Sequence, residues 1–312
     1  MLKAEAQRML PTLKQLRFLI ALDEQRHFSK AAKACFVSQS AFSIAIKELE
    51  TKLQVHLVDR TNRSVTFTEI GQAIVDQARR CMAEIETLVA IAESRQQPLS
   101  GRLTLGVIPT IAPFLLPTIL PEIHRKFPQL QLYLREEKSQ LVYEQLLEGK
   151  LDLILMALPY EMKGVVTMPL YRDPFLFANC QKSQWVKKNK APIDIDELPD
   201  ESVLLLDDGH CLRDHALQAC RLNDSEQISR FSATSLQTLL QMVASDIGVT
   251  FIPDMAKDSL ILKGSNIELS PMPTESYREI GLAWRKGSAR ADEFRLFGSL
   301  LQHLHHEELH AS

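Results

Sequence analysis

The feature that most constrains this chain is the stretch over residues 68–97, which has no proline and repeats apolar side chains at steps of three and four. This spacing predicts one long helix with a narrow apolar seam of about three heptads. Both flanks of the seam are polar, which favours pairing with a second copy of the chain. Packing of the seam against the chain's own body stays open as the alternative. The candidate dimerisation residues are Ile70, Ile74, Cys81, Ile85 and Leu88.

Three shorter helices are predicted before the long one. Residues 12–26 place apolar side chains near helical spacing, with Thr12 available as the N-cap. Ser29 is the predicted cap of a second short helix, and a third helix opens after Val37 with small polar residues in its first turn. Two short helices joined by a tight turn predict a helix-turn-helix, whose second helix enters the major groove of DNA.

In the stretch LVDRTNRSVTFT, apolar and polar residues alternate on both sides of a basic tip. This pattern predicts the two-stranded wing of a winged helix. Residues 1–68 hold 11 Lys and Arg against 6 Asp and Glu, a formal charge of +5, which leaves −8 for the rest. This asymmetry predicts an N-terminal module that binds a polyanion. A helical bundle with a solvated basic loop explains the hydrophobic pattern equally well but leaves the charge unexplained. The candidate DNA-binding residues are Ser38, Gln39, Ser40, Ser43, Lys47, Arg60, Thr61 and Arg63.

From residue 101 onward, predicted strands alternate with predicted helices, the pattern of an α/β domain with a largely parallel sheet. Ligands of such folds bind beyond the carboxyl ends of strands and beside helix N-termini. Polar side chains occupy three of these positions. They are Thr110, the pair Ser139 and Gln140, and the pair Thr234 and Ser235.

Five cysteines are scattered along the chain, and two of them, Cys211 and Cys220, lie nine residues apart in one short polar segment. If the segment is one helix, the two thiols point to opposite sides and cannot pair unless the helix unfolds. Asp207 and Asp208 are predicted to cap this helix, with Cys211 in its first turn. A helix N-terminus with Arg213 nearby favours the thiolate form of a cysteine. Two buried structural cysteines remain the alternative.

The run HFSKAAKACFVSQSAFSIAIKELETKLQVHLVDRTNRSVTFTEIGQ resembles the winged helix-turn-helix of LysR-type transcriptional regulators, and the order of predicted elements is similar over essentially the whole chain. The resemblance implies an α/β protein with an N-terminal winged helix-turn-helix, a long linker helix and a two-subdomain effector domain like that of periplasmic binding proteins. The expected boundaries are 1–68 for the DNA-binding domain, 69–97 for the linker helix and 98–312 for the regulatory domain, with subdomain I at about 101–171 and 276–312 and subdomain II at about 172–275.

Within that family, the segments GVIPT, GHCLRD and SATSLQTL and the spacing of the two cysteines resemble members that sense hydrogen peroxide. The resemblance implies that Cys211 reacts with peroxide and that Cys220 resolves the product as a reversible disulfide. It also implies a surrounding polar pocket of Thr110, Ser139, His210, Arg213 and Asp214. Cys220 shares a stripe with Leu212 and Ala216, so forming the disulfide would require the helix to unwind.

The partners implied are promoter DNA, hydrogen peroxide, further copies of the chain as a dimer or tetramer, RNA polymerase and a thiol reductant. No cofactor, metal or membrane partner is expected, and the N-terminus lacks an export signal, which indicates the cytoplasm. Cys211 with His215, and the H-E-x-x-H match at His306 and His310, lack the further ligands of a zinc site. The alternatives are a LysR-type regulator of a small organic effector and, from another class, a thiol peroxidase.

Overall fold

A computed structural model describes residues 10–60, 65–94, 98–186, 195–219, 222, 226–272 and 276–311 of the chain. The chain divides into two compact units. One comprises Met1–Glu93 with Leu147–Lys150, and the other comprises Ser94–Leu146 with Leu151–Ser312. The finer domain boundaries expected from the sequence stay a prediction.

The N-terminal unit has the predicted order of a winged helix-turn-helix. Its elements are α1 (Leu13–Gln25), α2 (Phe28–Ala34), α3 (Gln39–Leu53), β1 (Val58–Arg60), β2 (Val65–Phe67) and α4 (Glu69–Ser94). Thr12 caps α1 as predicted, in a reciprocal capping box with Gln15. The predicted cap of α2 is wrong, because the N-cap lies two residues earlier, at His27, whose imidazole accepts the backbone N–H of Ser29 at 3.2 Å.

An apolar core holds the three short helices together. The rings of Phe18 and Phe42 stack with their centroids 4.8 Å apart. Val75 and Ala78 of α4 are buried in the same core. Ala78 lies on the same apolar seam as Ile74 and Cys81 and packs against its own domain, so the alternative prediction for the seam is right at this position. Arg79 extends this docking through hydrogen bonds to carboxylates of α1.

The second unit contains the remaining elements. They are β3 (Gly101–Val107), α5 (Ala112–Lys126), β4 (Leu130–Glu136), α6 (Ser139–Leu147), β5 (Leu153–Leu158), β6 (Val165–Cys180), β7 (Val203–Leu206), α7 (Cys211–Ala219), β8 (Ile228–Ala233), α8 (Leu236–Ala244), β9 (Thr250–Pro253), β10 (Ile267–Pro271), β11 (Tyr277–Arg285) and α9 (Ala291–Ala311). Single turns of 3-10 helix lie at Ile195–Glu197 and Asp254–Ala256. No helix in the described ranges is long and apolar enough to cross a membrane.

The main sheet is mixed rather than largely parallel. In the described part of the chain its order is β10-β6-β11-β5-β3-β4, with β9 also paired to β6. Strand β3 runs parallel to β4 and β5, as predicted, but β11 runs antiparallel to β5 and β6. The prediction failed because β6 and β11 enter the sheet without the crossover helix that a parallel neighbour needs. Strands β7 and β8 form a separate parallel pair.

Two hydrophobic cores stabilise this unit, and β6 contributes to both. Leu170 lies in the first core, while Phe175 and Phe177 lie in the second. Helix α7 is divided in the same way, since Cys211 is buried in the first core and Leu212 and Ala216 in the second. A change in α7 therefore alters the packing of both cores.

Candidate functional site

The turn between β7 and α7 places Cys211 at the first position of its helix. Gly209 adopts φ 87°, a left-handed conformation that glycine tolerates best, and the helix starts two residues later. The predicted first-turn position of Cys211 is therefore confirmed. The backbone N–H of Cys211 donates to Ser139 Oγ of α6 at 3.4 Å. The carboxylates proposed as caps bond elsewhere, Asp207 to the Ser232 hydroxyl and Asp208 to Arg213.

The thiol of Cys211 is buried, with 3% of the residue exposed. Burial raises its pKa, while a hydrogen bond from Ser139, the charge of Arg278 and a hydrogen bond from the Ala157 backbone all act to lower it. The expectation of a favoured thiolate beside Arg213 is thus wrong in two respects. Burial dominates the pKa, and the side chain of Arg213 instead contacts the Leu206 carbonyl oxygen and Asp208.

The cation that acts on the thiol is Arg278, which is 1% exposed and comes from β11. Its Nε bonds Asp173 Oδ2 at 2.9 Å. Its two terminal nitrogens bond Thr110 Oγ1 and the Thr110 carbonyl oxygen, each at 2.9 Å. Burial raises the pKa of Asp173, and the adjacent guanidinium opposes that rise. Arg278 therefore links Thr110 and a buried carboxylate to the surroundings of Cys211.

Arg278 was not among the residues predicted from the sequence, although β11 carries a signal that identifies it. Residues alternate across a strand, so Arg278 lies on the same face as Ile280, Leu282 and Trp284. All three of those apolar side chains are buried. An arginine on a strand face that is otherwise apolar must be paired inside the protein, because an unpaired buried charge is costly.

Two histidines flank the thiol along the chain, and both are buried. Burial lowers the pKa of His210 and of His215. Nε2 of His215 bonds the Pro159 carbonyl oxygen at 2.9 Å, which ties α7 to the segment after β5. Within the described residues, His210 Nε2 and His215 Nδ1 are buried without a hydrogen-bond partner. Each imidazole is therefore neutral with one nitrogen unused.

The structure groups some of the proposed pocket residues and separates others. Thr110, Ser139 and His210 are buried, and the first two connect to Cys211 through the contacts above. Asp214 is exposed and Arg213 is half-buried on the outer side of α7, so neither side chain lies inside the buried group. Gln140 is exposed and bonds Glu144 at 2.8 Å. Ser235 caps α8, and the Thr234 backbone bonds the His210 side chain. Cys220 lies outside the described residues.

Tyr160 is a further residue near the thiol that the sequence did not reveal. Burial raises the pKa of Tyr160, and the charges of Cys211 and Asp214 raise it further. Its ring meets that of Tyr143 edge to face, with the centroids 6.4 Å apart. The hydroxyl of Tyr143 in turn bonds the backbone N–H and carbonyl oxygen of Lys163. These contacts hold the segment after β5 against α6.

The candidate DNA-binding residues lie mainly on the exposed side of α3. Ser38 caps the helix by accepting the Ala41 N–H at 3.2 Å, and Gln39, Ser40 and Lys47 are exposed. Ser43 is half-buried, and Arg60 ends β1. Thr61 and Arg63 lie outside the described residues.

The candidate dimerisation residues keep much of their surface exposed in the single chain. Ile70 is 48% and Leu88 is 65% exposed. Ile74, Cys81 and Ile85 are half-buried. Ile70 and Leu88 therefore remain available for pairing, whereas Ile74 packs against the core of its own domain.

In the described residues, no group of three or more His, Cys, Asp and Glu side chains could hold a metal ion. Cys211 and His215 lie one turn apart on α7, but His215 bonds the Pro159 carbonyl oxygen. His306 lies in α9, and the side chain of His310 is outside the described part. Cys35, Cys81, Cys180 and Cys211 are free thiols.

The buried histidines predict that this protein loses stability in mild acid. The unfolded chain takes up a proton near pH 6.5, the ordinary pKa of histidine, whereas folded His215 resists protonation. The contribution of His215 to the unfolding free energy is therefore constant above about pH 6.5 and falls as the pH drops below it, by about 1.4 kcal/mol for each unit by which burial lowers the pKa. Chemical denaturation at pH 7.5 and 5.5 measures this difference.

His215→Gln is expected to remove part of that pH dependence, because glutamine can still donate to the Pro159 carbonyl oxygen but does not titrate. His124→Gln, which changes an exposed histidine, is the matched control and is expected to keep the full pH dependence. An equal pH dependence in the His215→Gln variant would contradict the assignment.

Comparison with known proteins supplies the context for this site. The family model described as LysR substrate binding domain matches residues 96–305, and the one described as bacterial regulatory helix-turn-helix protein, lysR family, matches residues 13–72. The chain is 39% identical over 276 residues to the DNA-binding transcriptional dual regulator OxyR of Escherichia coli (strain K12), covering 88% of this chain and 90% of that protein.

Two solved structures are similar over most of the chain. A full-length cysteine-to-aspartate variant of OxyR from Pseudomonas aeruginosa superposes with a TM-score of 0.77 at 34% identity, covering 93% of this chain and 94% of that one. A cysteine-to-serine variant of Corynebacterium glutamicum OxyR, described as bound to H2O2, superposes with a TM-score of 0.64 at 32% identity, covering 96% and 94%.

Proposed function

This chain belongs to the LysR family of transcriptional regulators and is homologous to OxyR, and from that premise we propose that it senses hydrogen peroxide through Cys211 and Cys220. In this proposal the reversible disulfide between the two cysteines controls oxidative-stress genes through promoter DNA bound by the winged helix. The chain is a transcription regulator and not an enzyme. The earlier alternative of a thiol peroxidase therefore does not apply.

One observation carries the proposal: a buried cysteine begins a helix that is divided between two cores. The thiol has a hydroxyl donor in Ser139 and a buried cation in Arg278 close enough to affect its charge. Both features stabilise the thiolate that attacks peroxide, against the cost of burial. The site is thus an enclosed thiol with fixed polar neighbours, which suits a small polar oxidant.

The proposed chemistry has two steps. The Cys211 thiolate attacks one peroxide oxygen, the O–O bond breaks, and the released hydroxide takes a proton to leave as water, which gives a sulfenic acid. The Cys220 thiol then attacks the sulfenic sulfur, which forms the S–S bond and releases a second water. A cellular dithiol reverses the change by thiol–disulfide exchange and is itself oxidised.

Disulfide formation would remodel α7. Helix α7 runs over nine residues from Cys211 to Ala219, a rise of roughly 12 Å, and Cys220 is the next residue in the sequence, while a disulfide requires Cα atoms within about 7 Å. Unwinding α7 withdraws Leu212 and Ala216 from the second core and breaks the bond between His215 and Pro159. Oxidation would therefore select between two packings of the regulatory domain.

The response at DNA would pass through the oligomer. Pairing of two copies along α4 would set the spacing of two winged helices on DNA, and a tetramer formed by two such dimers would contact a longer site. RNA polymerase is the proposed partner at the promoter, and the cytoplasm is the proposed location. A small organic effector remains the alternative signal, and the response of a Cys211→Ser variant discriminates the two.

The DNA part of the proposal is tested by selecting bound sequences from a pool of random duplexes and measuring binding to the enriched duplex by fluorescence anisotropy. We expect enrichment of one site, with an affinity or footprint that changes after hydrogen peroxide is added and returns after a dithiol is added. Binding that is weak and equal for all duplexes would contradict the DNA part. An affinity and a footprint that do not change after hydrogen peroxide is added would contradict the proposal that the protein senses peroxide.

Arg63→Ala is expected to weaken DNA binding and to lower the salt dependence of the binding constant by about one unit of slope, because one phosphate contact is lost. Arg63 lies outside the described residues, so this prediction rests on the basic tip of the wing. A titration of the enriched duplex at several salt concentrations gives the slope. Arg230→Ala, which changes an 87% exposed arginine side chain of β8, is the control and is expected to keep the original slope.

A further inference from the structure

The exposed face of α3 contains an apolar residue that its own domain does not bury. Ile44 is 58% exposed, whereas Phe42, Ile46 and Leu49 of the same helix are fully buried. At 100° per residue, Ile44 points within about 15° of the direction opposite to the centre of those three side chains. Ile44 is therefore the outermost apolar side chain of this helix.

Polar residues surround Ile44 on that face. Ser40 lies one turn before it, Lys47 lies one turn after it, and Thr51 lies two turns after it. All three are exposed. A branched apolar side chain among short polar ones and a lysine gains nothing from its own fold, because its surface stays in water. A partner that binds this face must therefore present apolar groups to Ile44. It must also present hydrogen-bond acceptors or negative charges to the polar residues around Ile44.

We infer that Ile44 contacts thymine methyl groups in the major groove and sets a preference for thymine at that point of the DNA site. This inference rests on the proposed function. Among the four bases, thymine alone presents a methyl group in that groove. The domain's charge of +5 over residues 1–68 favours a polyanion over a second copy of the same chain. Lys47, on the same face, would meet phosphate or guanine.

The first test removes the methyl group from the DNA. In the duplex enriched by selection, thymines are replaced by deoxyuridine one position at a time, and binding is measured by anisotropy with the full-length reduced protein. We expect one or two positions where loss of the methyl weakens binding about fourfold each, the amount expected for burying one methyl group. Equal binding at every position would overturn the inference while leaving the proposed function intact.

The second test removes the side chain. Ile44→Ala keeps a good helix former at an exposed position, so the fold should be retained. With this variant the deoxyuridine penalty should vanish at the sensitive positions, since the residue and the methyl are coupled partners. Leu260→Ala, at an 84% exposed leucine of the other unit, is the matched control and should keep the penalty.

The remaining outcomes are also decisive. An unchanged deoxyuridine penalty in the Ile44→Ala variant would overturn the inference, because another residue would then contact the methyl. A changed oligomeric state of that variant in sedimentation would overturn it in favour of a contact between copies. If selection enriches no duplex, both the proposed function and this inference fail.

Discussion

Replacing Cys211 with serine is expected to abolish the response to hydrogen peroxide. A serine hydroxyl does not ionise near neutral pH and is not oxidised to a sulfenic acid, so neither step of the proposed chemistry can begin. The substitution is nearly isosteric, and the Ser139 hydroxyl can still accept the backbone N–H at this position. The variant should therefore fold and bind DNA as the reduced protein does. Transcription from a reporter promoter, with and without peroxide, measures the response.

Cys180→Ser is the matched control, because Cys180 is also a buried, free thiol of the second unit. This variant is expected to keep the full peroxide response. A Cys211→Ser variant that still responds to peroxide would contradict the assignment of the sensing thiol. A Cys211→Ser variant that does not respond to peroxide but responds to an organic inducer would favour the alternative, a regulator of a small organic effector.

The second large effect is expected at Arg278. Arg278→Leu leaves the carboxylate of Asp173 buried without its cation and leaves Thr110 Oγ1 without its donor. Breaking a buried ion pair on one side costs about 3–5 kcal/mol. The variant should also react more slowly with peroxide, because the charge that lowers the pKa of Cys211 is gone. Chemical denaturation and the rate of thiol loss under peroxide measure the two effects.

A double substitution separates stability from reactivity. Replacing both partners, Arg278→Leu with Asp173→Leu, removes the unpaired charge, and such apolar replacements of buried pairs are often neutral or stabilising. The double variant should regain part of the lost stability, since the Met255 N–H and Thr110 still lack their partners, and should still react slowly with peroxide. If it reacts at the rate of the unaltered protein, Arg278 acts only on the fold and has no effect on the thiol.

The winged helix could be predicted because its signals are local. Helical spacing and the Thr12 cap lie within a few residues of the elements that they define, and α1 has the expected cap. The error at α2 was also local, since the imidazole of His27 can accept a backbone N–H in the first turn of a helix as a serine hydroxyl does. The direction of β6 and β11 could not be predicted, because it depends on how the chain returns to the sheet and not on alternation within each strand.

The site was predictable only where it follows the chain. Cys211 begins its helix as expected, but the cation beside it was assigned to Arg213 because that residue is near in sequence. The cation that acts on the thiol, Arg278, meets Asp173 from 105 residues away and Thr110 from 168 residues away. Contacts between residues so far apart in the chain depend on the register of the sheet, and the amino-acid sequence alone does not determine that register. The raised pKa of the thiol follows from burial, which the sequence indicated only through the alternative of two buried structural cysteines.

The central claim is that peroxide joins Cys211 to Cys220. The most direct measurement is thiol-trapping mass spectrometry on the purified reduced protein, before and after a brief exposure to one equivalent of hydrogen peroxide. The account predicts a rapid Cys211–Cys220 disulfide, with Cys35, Cys81 and Cys180 still free. Unreacted thiols, or oxidation spread evenly over all five cysteines, would contradict it.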